Sequence, residues 1–319
     1  MTKQRIAITG AAGNLGNLLA LGLQKEDVEL NLLIHTKKVS DNLADKENVS
    51  VFKIDLAKEN TLFAAFNNVD TIVHFAGVLF KANPEKFLPE TNTQYFKNLL
   101  NVATKQQVKR VILISFPHVE GETTPQNPAT GVLNGQPISS HAQTRLEEEK
   151  LLFQYAEQYK FEPVSLRVGM VYGKGILMID AAQWFARHYL LGIWKQPTYI
   201  HLISKDDFVS AAIAAALKPN IEGIYHIGDE GIQTLQQFLD DITTYKNNHK
   251  PWRMPLWMIM TAAHCFEFYS SISGKISPLT RDFIKIGRVS YYGDTKRMRQ
   301  ELLPSLKYRT YMEGITLFD

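Results

Sequence analysis

The chain has 319 residues, 45% of them hydrophobic, and its 35 basic and 32 acidic side chains leave a net charge of +3. Such a length buries a sizeable core, and so small a charge gives no ground for nucleic acid or an anionic membrane as partner, which leaves a small molecule. A single cysteine, Cys265, excludes an internal disulfide and any cysteine metal cluster, so no metal site is expected, and it fits a reducing compartment.

The first predicted strand, Ile6-Ala7-Ile8, begins close to Met1 with no basic and apolar leader before it. It enters a turn with glycines at Gly10, Gly13 and Gly16, and apolar helical spacing follows at Leu15, Leu18, Leu19 and Leu23. Gly10 permits the reversal out of the strand, Gly13 lets a pyrophosphate approach bare backbone, and Gly16 lets the helix pack closely on the sheet. Unpaired N–H groups at the helix start, from Asn14 and Leu15 onward, add partial positive charge for the phosphates. Strand, glycine turn and helix together predict a dinucleotide site.

Residues 28–34 predict a second strand, ending in His35-Thr36-Lys37-Lys38. In dinucleotide folds an acid at this point holds the adenosine ribose, whereas basic residues accommodate a 2′-phosphate. There is no acid here, so NADP is favoured over NAD, with His35, Thr36 and Lys37 as contacts. A third strand over 49–54 is closed by Asp55-Leu56, placed beside the adenine, and a short helix follows over 61–67. Residues 70–77 form a fourth strand running into the small-residue turn Phe75-Ala76-Gly77, where backbone approaches a cofactor. His74 reads as a packed core histidine.

Helical spacing covers 92–107, and 110–115 is a nearly all-apolar fifth strand. Continuous apolar strands alternating with helices predict a parallel sheet covered on both faces. The loop over 116–140 is long enough to be functional or mobile. A helix over 141–158 carries Glu147-Glu148-Glu149-Lys150 on its wet side and Leu151, Leu152 and Tyr155 inward. A sixth strand over 163–168, a loop over 169–175 and an apolar helix over 179–191 come next. The paired acids Asp206 and Asp207 then cap a helix over 208–217, followed by a last core strand at 224–228 and a helix over 235–245.

Beyond this the composition shifts. Residues 251–260 are rich in Trp and Met, which pack within a small lobe or line an apolar cavity. Residues 281–309 are basic and read as a solvated face. The most apolar window, 256–263, is far too short to span a bilayer, so a cytoplasmic protein is expected.

In order and content these motifs resemble the extended short-chain dehydrogenase/reductase superfamily, of the NAD-dependent epimerase/dehydratase kind, over essentially the whole chain. The resemblance rests on residues 9–16, Asp55-Leu56, His74-Phe75-Ala76-Gly77, Asn92, Ile114-Ser115, residues 166–173 and residues 201–207. Within it, residues 255–279 and 292–297 are similar to the dihydroflavonol-reductase and 3β-hydroxysteroid-dehydrogenase branch. The resemblance implies an α/β fold, a Rossmann doubly wound parallel sheet with a smaller, mainly C-terminal substrate lobe. Residues 1–170, completed by 198–228, would form the core, and 171–197 with 229–319 the lobe. Val168 would join the cofactor contacts, and the helices at 92–107 and 141–158 would form a homodimer.

The same resemblance implies a Ser or Thr after the fifth strand and a Tyr-x-x-x-Lys pair on the next helix, where the tyrosine passes a proton and the lysine holds the nicotinamide ribose. This chain departs from that pattern. Aligned on Glu149, His141 stands where the tyrosine belongs and Arg145 where the lysine belongs, while Phe116 takes the Ser/Thr place with Ser115 one residue early. No tyrosine lies between Phe96 and Gln154. The candidates for catalysis are therefore His141, Arg145 and Ser115, the last two also as cofactor contacts. One reading is an atypical oxidoreductase of small carbonyls or alcohols with His141 as proton donor. The others are a nucleotide-binding sensor without chemistry and a nucleotide-sugar epimerase or dehydratase.

Overall fold

The computed structural model describes residues 3–75, 77, 83–273, 277 and 279–319. Seven parallel strands form the central sheet: β1 (Gln4–Thr9), β2 (Val28–Ile34), β3 (Val49–Lys53), β4 (Thr71–His74), β5 (Arg110–Ser115), β6 (Glu162–Val168) and a seventh, Gly223–Ile227. The seventh strand pairs with β6, and the order continues β5, β4, β1, β2, β3. β1 thus sits between β4 and β2, where the winding reverses. This is the Rossmann arrangement, in which ligands bind outside the carboxyl ends of the strands at the reversal.

Alternation along the strands fills two separate cores. Ile6, Ile8, Val73, Ile112 and Ile114 point to one face, and Ala7, Ile72, Val111 and Leu113 to the other. Each fully buried aliphatic side chain contributes about 1.5–3 kcal/mol, so the covering of both faces is what holds the sheet together. On the first face lies helix α1 (Asn14–Leu23). A Cβ on its Gly22 would meet Val209 at 2.6 Å, so that glycine lets another helix come close. The short helix α2 (Asp41–Ala44) adds Leu43 to the same face, and over the other face lie α3 (Phe63–Phe66), α4 (Tyr95–Lys105) and α5 (Ser140–Tyr159). Of these, α3, α4 and α5 supply Phe66, Leu99, Leu100, Leu152 and Ala156 to the second core.

α5 corrects one expectation. Glu147 and Lys150 are exposed and paired, but Glu148 and Glu149 are fully buried. Buried cations reverse the sequence pattern: Arg145 pairs with Glu148, and Arg167, itself buried, pairs with Glu149. The helix expected over 92–107 opens as a π-helical segment, Pro89–Gln94, before α4. The loop over 116–140 is tied down, since Thr123 N–H donates to Ser290 O (3.0 Å) and Ala129 N–H to Tyr292 O (2.8 Å).

Helix α6 (Leu177–Arg187) ends earlier than its spacing suggests, and α7 (Lys205–Leu217) begins earlier. Ser204, not the paired acids, caps α7 by accepting from Asp207 N–H (3.0 Å), and the acids occupy the first turn beside the positive end of the helix dipole. Helices α8 (Leu235–Tyr245), α9 (Leu256–Ser273) and α10 (Arg281–Gly287) complete the chain with short strand pairs. The basic stretch over 281–309 is no simple solvated face. Arg281 pairs with Glu267, Arg297 with Glu301 and stacks 4.3 Å over the Tyr225 ring, and Arg299 and Arg309 both reach Glu230. Of residues 251–260 only Pro251 and Ile259 are buried, while Trp252 and Trp257 face outward.

Candidate active site

The carboxyl ends of the parallel strands bring the expected residues to one edge of the sheet. After β1, Gly10 takes φ +68°, and Gly13 N–H donates to its carbonyl at 2.8 Å. A Cβ on Gly16 would lie 2.4 Å from the Gly10 carbonyl, so only glycine lets the helix start this close to the strand. Gly13 caps α1 without any side-chain bond and is exposed, as is Asn14, and Leu15 is half-buried against the core. The first amides of α1 thus open outward beside Gly13. Asn14 also does something the sequence did not suggest: its side chain donates to Gly175 O (2.6 Å) and accepts from Leu177 N–H (3.0 Å), clasping the start of α6.

His35, Thr36 and Lys37 are exposed just beyond β2. Asp55 and Leu56 follow β3, half-buried. Asp55 Oδ1 accepts from Ala57 N–H (3.0 Å), and the Leu56 carbonyl accepts from the Asn98 amide (3.0 Å). After β4, Phe75 packs edge-on against Phe208 with ring centroids 6.3 Å apart, and Gly77 is exposed. Ala76 lies outside the described residues. Val168 closes β6 and is buried.

α5 is capped by Ser139, whose Oγ accepts from Ala142 N–H at 3.2 Å, so His141 and Arg145 stand one turn apart near the helix start. His141 Nδ1 lies 2.6 Å from Oδ2 of Asp282 in the first turn of α10, and both side chains are 11% exposed. Arg145 Nη1 donates to Glu148 Oε2 (2.7 Å). The other arm of Arg145 reaches the turn after β4, where a Cβ on Gly77 would meet Nη2 at 2.7 Å.

Buried polar groups surround this guanidinium. Burial pushes His74 down to about 3, Arg145 adding to the effect, so His74 is a neutral core residue held by Thr9 Oγ1 at 2.7 Å, as its place in the sheet suggested. Burial raises Glu148 to about 7, against the opposing pull of Arg145. Asn92 donates to Thr144 Oγ1 (3.1 Å), and among the described residues neither its buried Oδ1 nor the buried Glu148 Oε1 has a hydrogen-bond partner.

Ser115 is turned elsewhere. Its hydroxyl donates to Glu149 Oε1 at 2.5 Å, in a buried network that includes Ser165 Oγ (2.8 Å) and both Nε (3.0 Å) and Nη2 (2.5 Å) of Arg167. Phe116 packs at a tilt against His118 (ring centroids 4.5 Å apart), which packs at a tilt against Tyr291 (4.3 Å), so an aromatic row stands where the resemblance implies a hydroxyl. Asp282 is the residue that sequence reasoning missed. It sits in a basic stretch far from His141 in the chain, and no local pattern announces it.

The glycine turn fits a dinucleotide: a cradle that a Cβ would fill, uncapped helix amides and exposed basic residues after β2 converge on the reversal point of the sheet. Among curated proteins, the chain is 30% identical to uronate dehydrogenase of Pseudomonas syringae pv. tomato over 52% of this chain and 58% of that protein. It therefore spans a little over half the length of that relative. It is 29% identical to UDP-N-acetyl-alpha-D-glucosaminuronate decarboxylase of Bacillus cytotoxicus over 75% of this chain and 79% of that protein. Among solved structures, UDP-glucuronic acid 4-epimerase from Bacillus cereus, in complex with NAD and UDP-4-deoxy-4-fluoro-glucuronic acid, superposes with TM-score 0.77 at 16% identity, covering 98% of this chain and 96% of that one. The model of the NAD dependent epimerase/dehydratase family matches residues 6–228. The chain belongs to the NAD dependent epimerase/dehydratase family.

Proposed function

We propose that the protein is an NAD(P)-dependent oxidoreductase of a small carbonyl or alcohol substrate in which His141, oriented by Asp282, takes the tyrosine's place. The observation that carries this reading is the 2.6 Å contact between His141 Nδ1 and Asp282 Oδ2. A carboxylate at Nδ1 fixes the tautomer and offsets positive charge gained by the ring, which counters the nearby Arg145. Nε2 is then the atom that exchanges a proton with the substrate oxygen. When bound, the nicotinamide accepts or donates the hydride. Arg145, steadied by Glu148, holds the ribose hydroxyls with fixed guanidinium donors but keeps its own proton.

NADP is the proposed cofactor, because His35, Thr36 and Lys37 put no carboxylate at the 2′ position. The uronate dehydrogenase relative and the nucleotide-sugar enzymes suggest a sugar acid or a nucleotide sugar as substrate. The proposal extends to a cytoplasmic protein that pairs through α4 and α5, with residues 171–197 and 229–319 forming the substrate lobe.

A specific observation favours a second reading. Ser115 is held by Glu149 and Phe116 is an aromatic, so neither supplies the hydroxyl that the family pattern has after β5. A nucleotide-binding sensor would tolerate that loss. Fluorescence titration with NADPH and NADH, followed by absorbance assays on uronates and UDP-sugars, separates the two. Cofactor binding with turnover supports the oxidoreductase, binding without turnover on any substrate supports the sensor, and failure to bind either cofactor rejects both.

A further inference from the structure

Helix α9 buries Ile259, Ala263 and Glu267 and little else. Glu267 is its one charged residue, and that carboxylate turns inward to Arg281 (2.7 Å). The outward side carries Trp257 (68% exposed), Phe268 (64%), Tyr269 (59%) and Ile272 (71%). Scattered apolar residues at a surface are ordinary, but a helix that shows a charge-free aromatic side to solvent is not. The strand that precedes α9 in the chain adds exposed aromatic surface of its own. Trp252 (52% exposed) donates its indole N–H to the carbonyl of Tyr189 (64% exposed) at 3.0 Å.

Between residues 250 and 293 the exposed charge outside the ion pairs is of one sign: Lys250, Lys285 and Arg288 are exposed, while Glu267 is buried, Asp282 is half-buried and both acids are paired. The small net charge of the whole chain hides this local asymmetry. A second copy docking on the same patch would bring cations against cations, because a two-fold interface repeats its own charges. Anionic lipid headgroups instead complement the cations, and Trp and Tyr settle at the level of those headgroups. Among the described residues no helix is long and apolar enough to cross a membrane.

We propose that the outward side of α9, with Trp252 and Tyr189, docks the protein on an anionic membrane surface. The full chain is sedimented with vesicles of phosphatidylcholine alone and of equimolar phosphatidylcholine and phosphatidylglycerol. The protein partitions onto the anionic vesicles about tenfold more strongly than onto neutral ones, and salt weakens the binding. The double variant Trp257→Ser/Phe268→Ser and the double variant Lys285→Glu/Arg288→Glu each reduce that partitioning about tenfold, at unchanged circular dichroism, because exposed positions leave the core intact. Absence of binding to anionic vesicles, or equal binding by wild type and both variants, overturns the proposal. So does a dimer in sedimentation velocity that Trp257→Ser/Phe268→Ser dissociates, which would make a second copy the occupant.

Discussion

His141 Nδ1 and Asp282 Oδ2 meet at 2.6 Å although the two residues are 141 positions apart. A histidine near the start of α5 gains its orientation from an acid on α10, so two distant stretches of the chain act on one ring.

Replacing His141 by Phe should lower kcat by about 10²–10⁴-fold, the usual contribution of a positioned proton carrier, while cofactor binding stays near wild type. Asp282→Asn should give a smaller fall, because the ring remains but its tautomer and orientation loosen. Steady-state kinetics on the substrate found, with a parallel NADPH titration, checks both. Unaltered turnover in His141→Phe would remove it from the chemistry.

Charge reversal at Lys37 tests the cofactor. Lys37→Glu should weaken NADPH by about tenfold, or ~1.4 kcal/mol, and leave NADH little changed. Equal effects on the two nucleotides would count against a 2′-phosphate contact.

Gly16→Ala should reduce both stability and nucleotide binding, since the new methyl would lie 2.4 Å from a backbone carbonyl that cannot swing aside. Forcing a methyl into packed backbone costs about 1–3 kcal/mol. Thermal melting with and without NADPH reads both effects at once.

Arg167→Met should destabilise the protein by about 3–5 kcal/mol, because it strands the buried carboxylates of Glu149 and Glu120 without their shared cation. Urea denaturation measures the loss.

Stability should also fall as pH rises from about 4 to about 8 on account of Asp229, which burial pushes up to about 8 from the ordinary 3.8. Among the described residues its buried Oδ2 has no hydrogen-bond partner, while Oδ1 accepts from Gly231 N–H (2.9 Å). The unfolded chain sheds this proton near pH 4 and the folded one only near 8, so across that window the unfolded state is favoured progressively, and above it the dependence levels off. Asp229→Asn removes this contribution. Its urea midpoint should decline less than that of wild type across the same window.

Legibility in the sequence followed the range of the interactions. The strands at 28–34 and 110–115 and the glycine turn were readable, because short apolar runs and glycine spacing are local. The burial of Glu148 and Glu149 was not, because the arginine that holds Glu149 lies on another strand. Asp282 was hidden for the same reason. The Trp-rich stretch misled differently: its composition suggested packing, and no local pattern shows that Trp252 and Trp257 face solvent.

Glu149 binds Ser115, Ser165 and Arg167, and so ties α5 to β5 and β6 at one point. His141 lies eight residues earlier on the same helix, about 12 Å along its axis. A helix fastened there has its angular phase constrained along its length, so Glu149 helps to set where the backbone of His141 stands while Asp282 orients its ring. If His141 carries the proton as proposed, a lesion at Glu149 would look kinetically like damage to the histidine, at a distance from the reacting atoms.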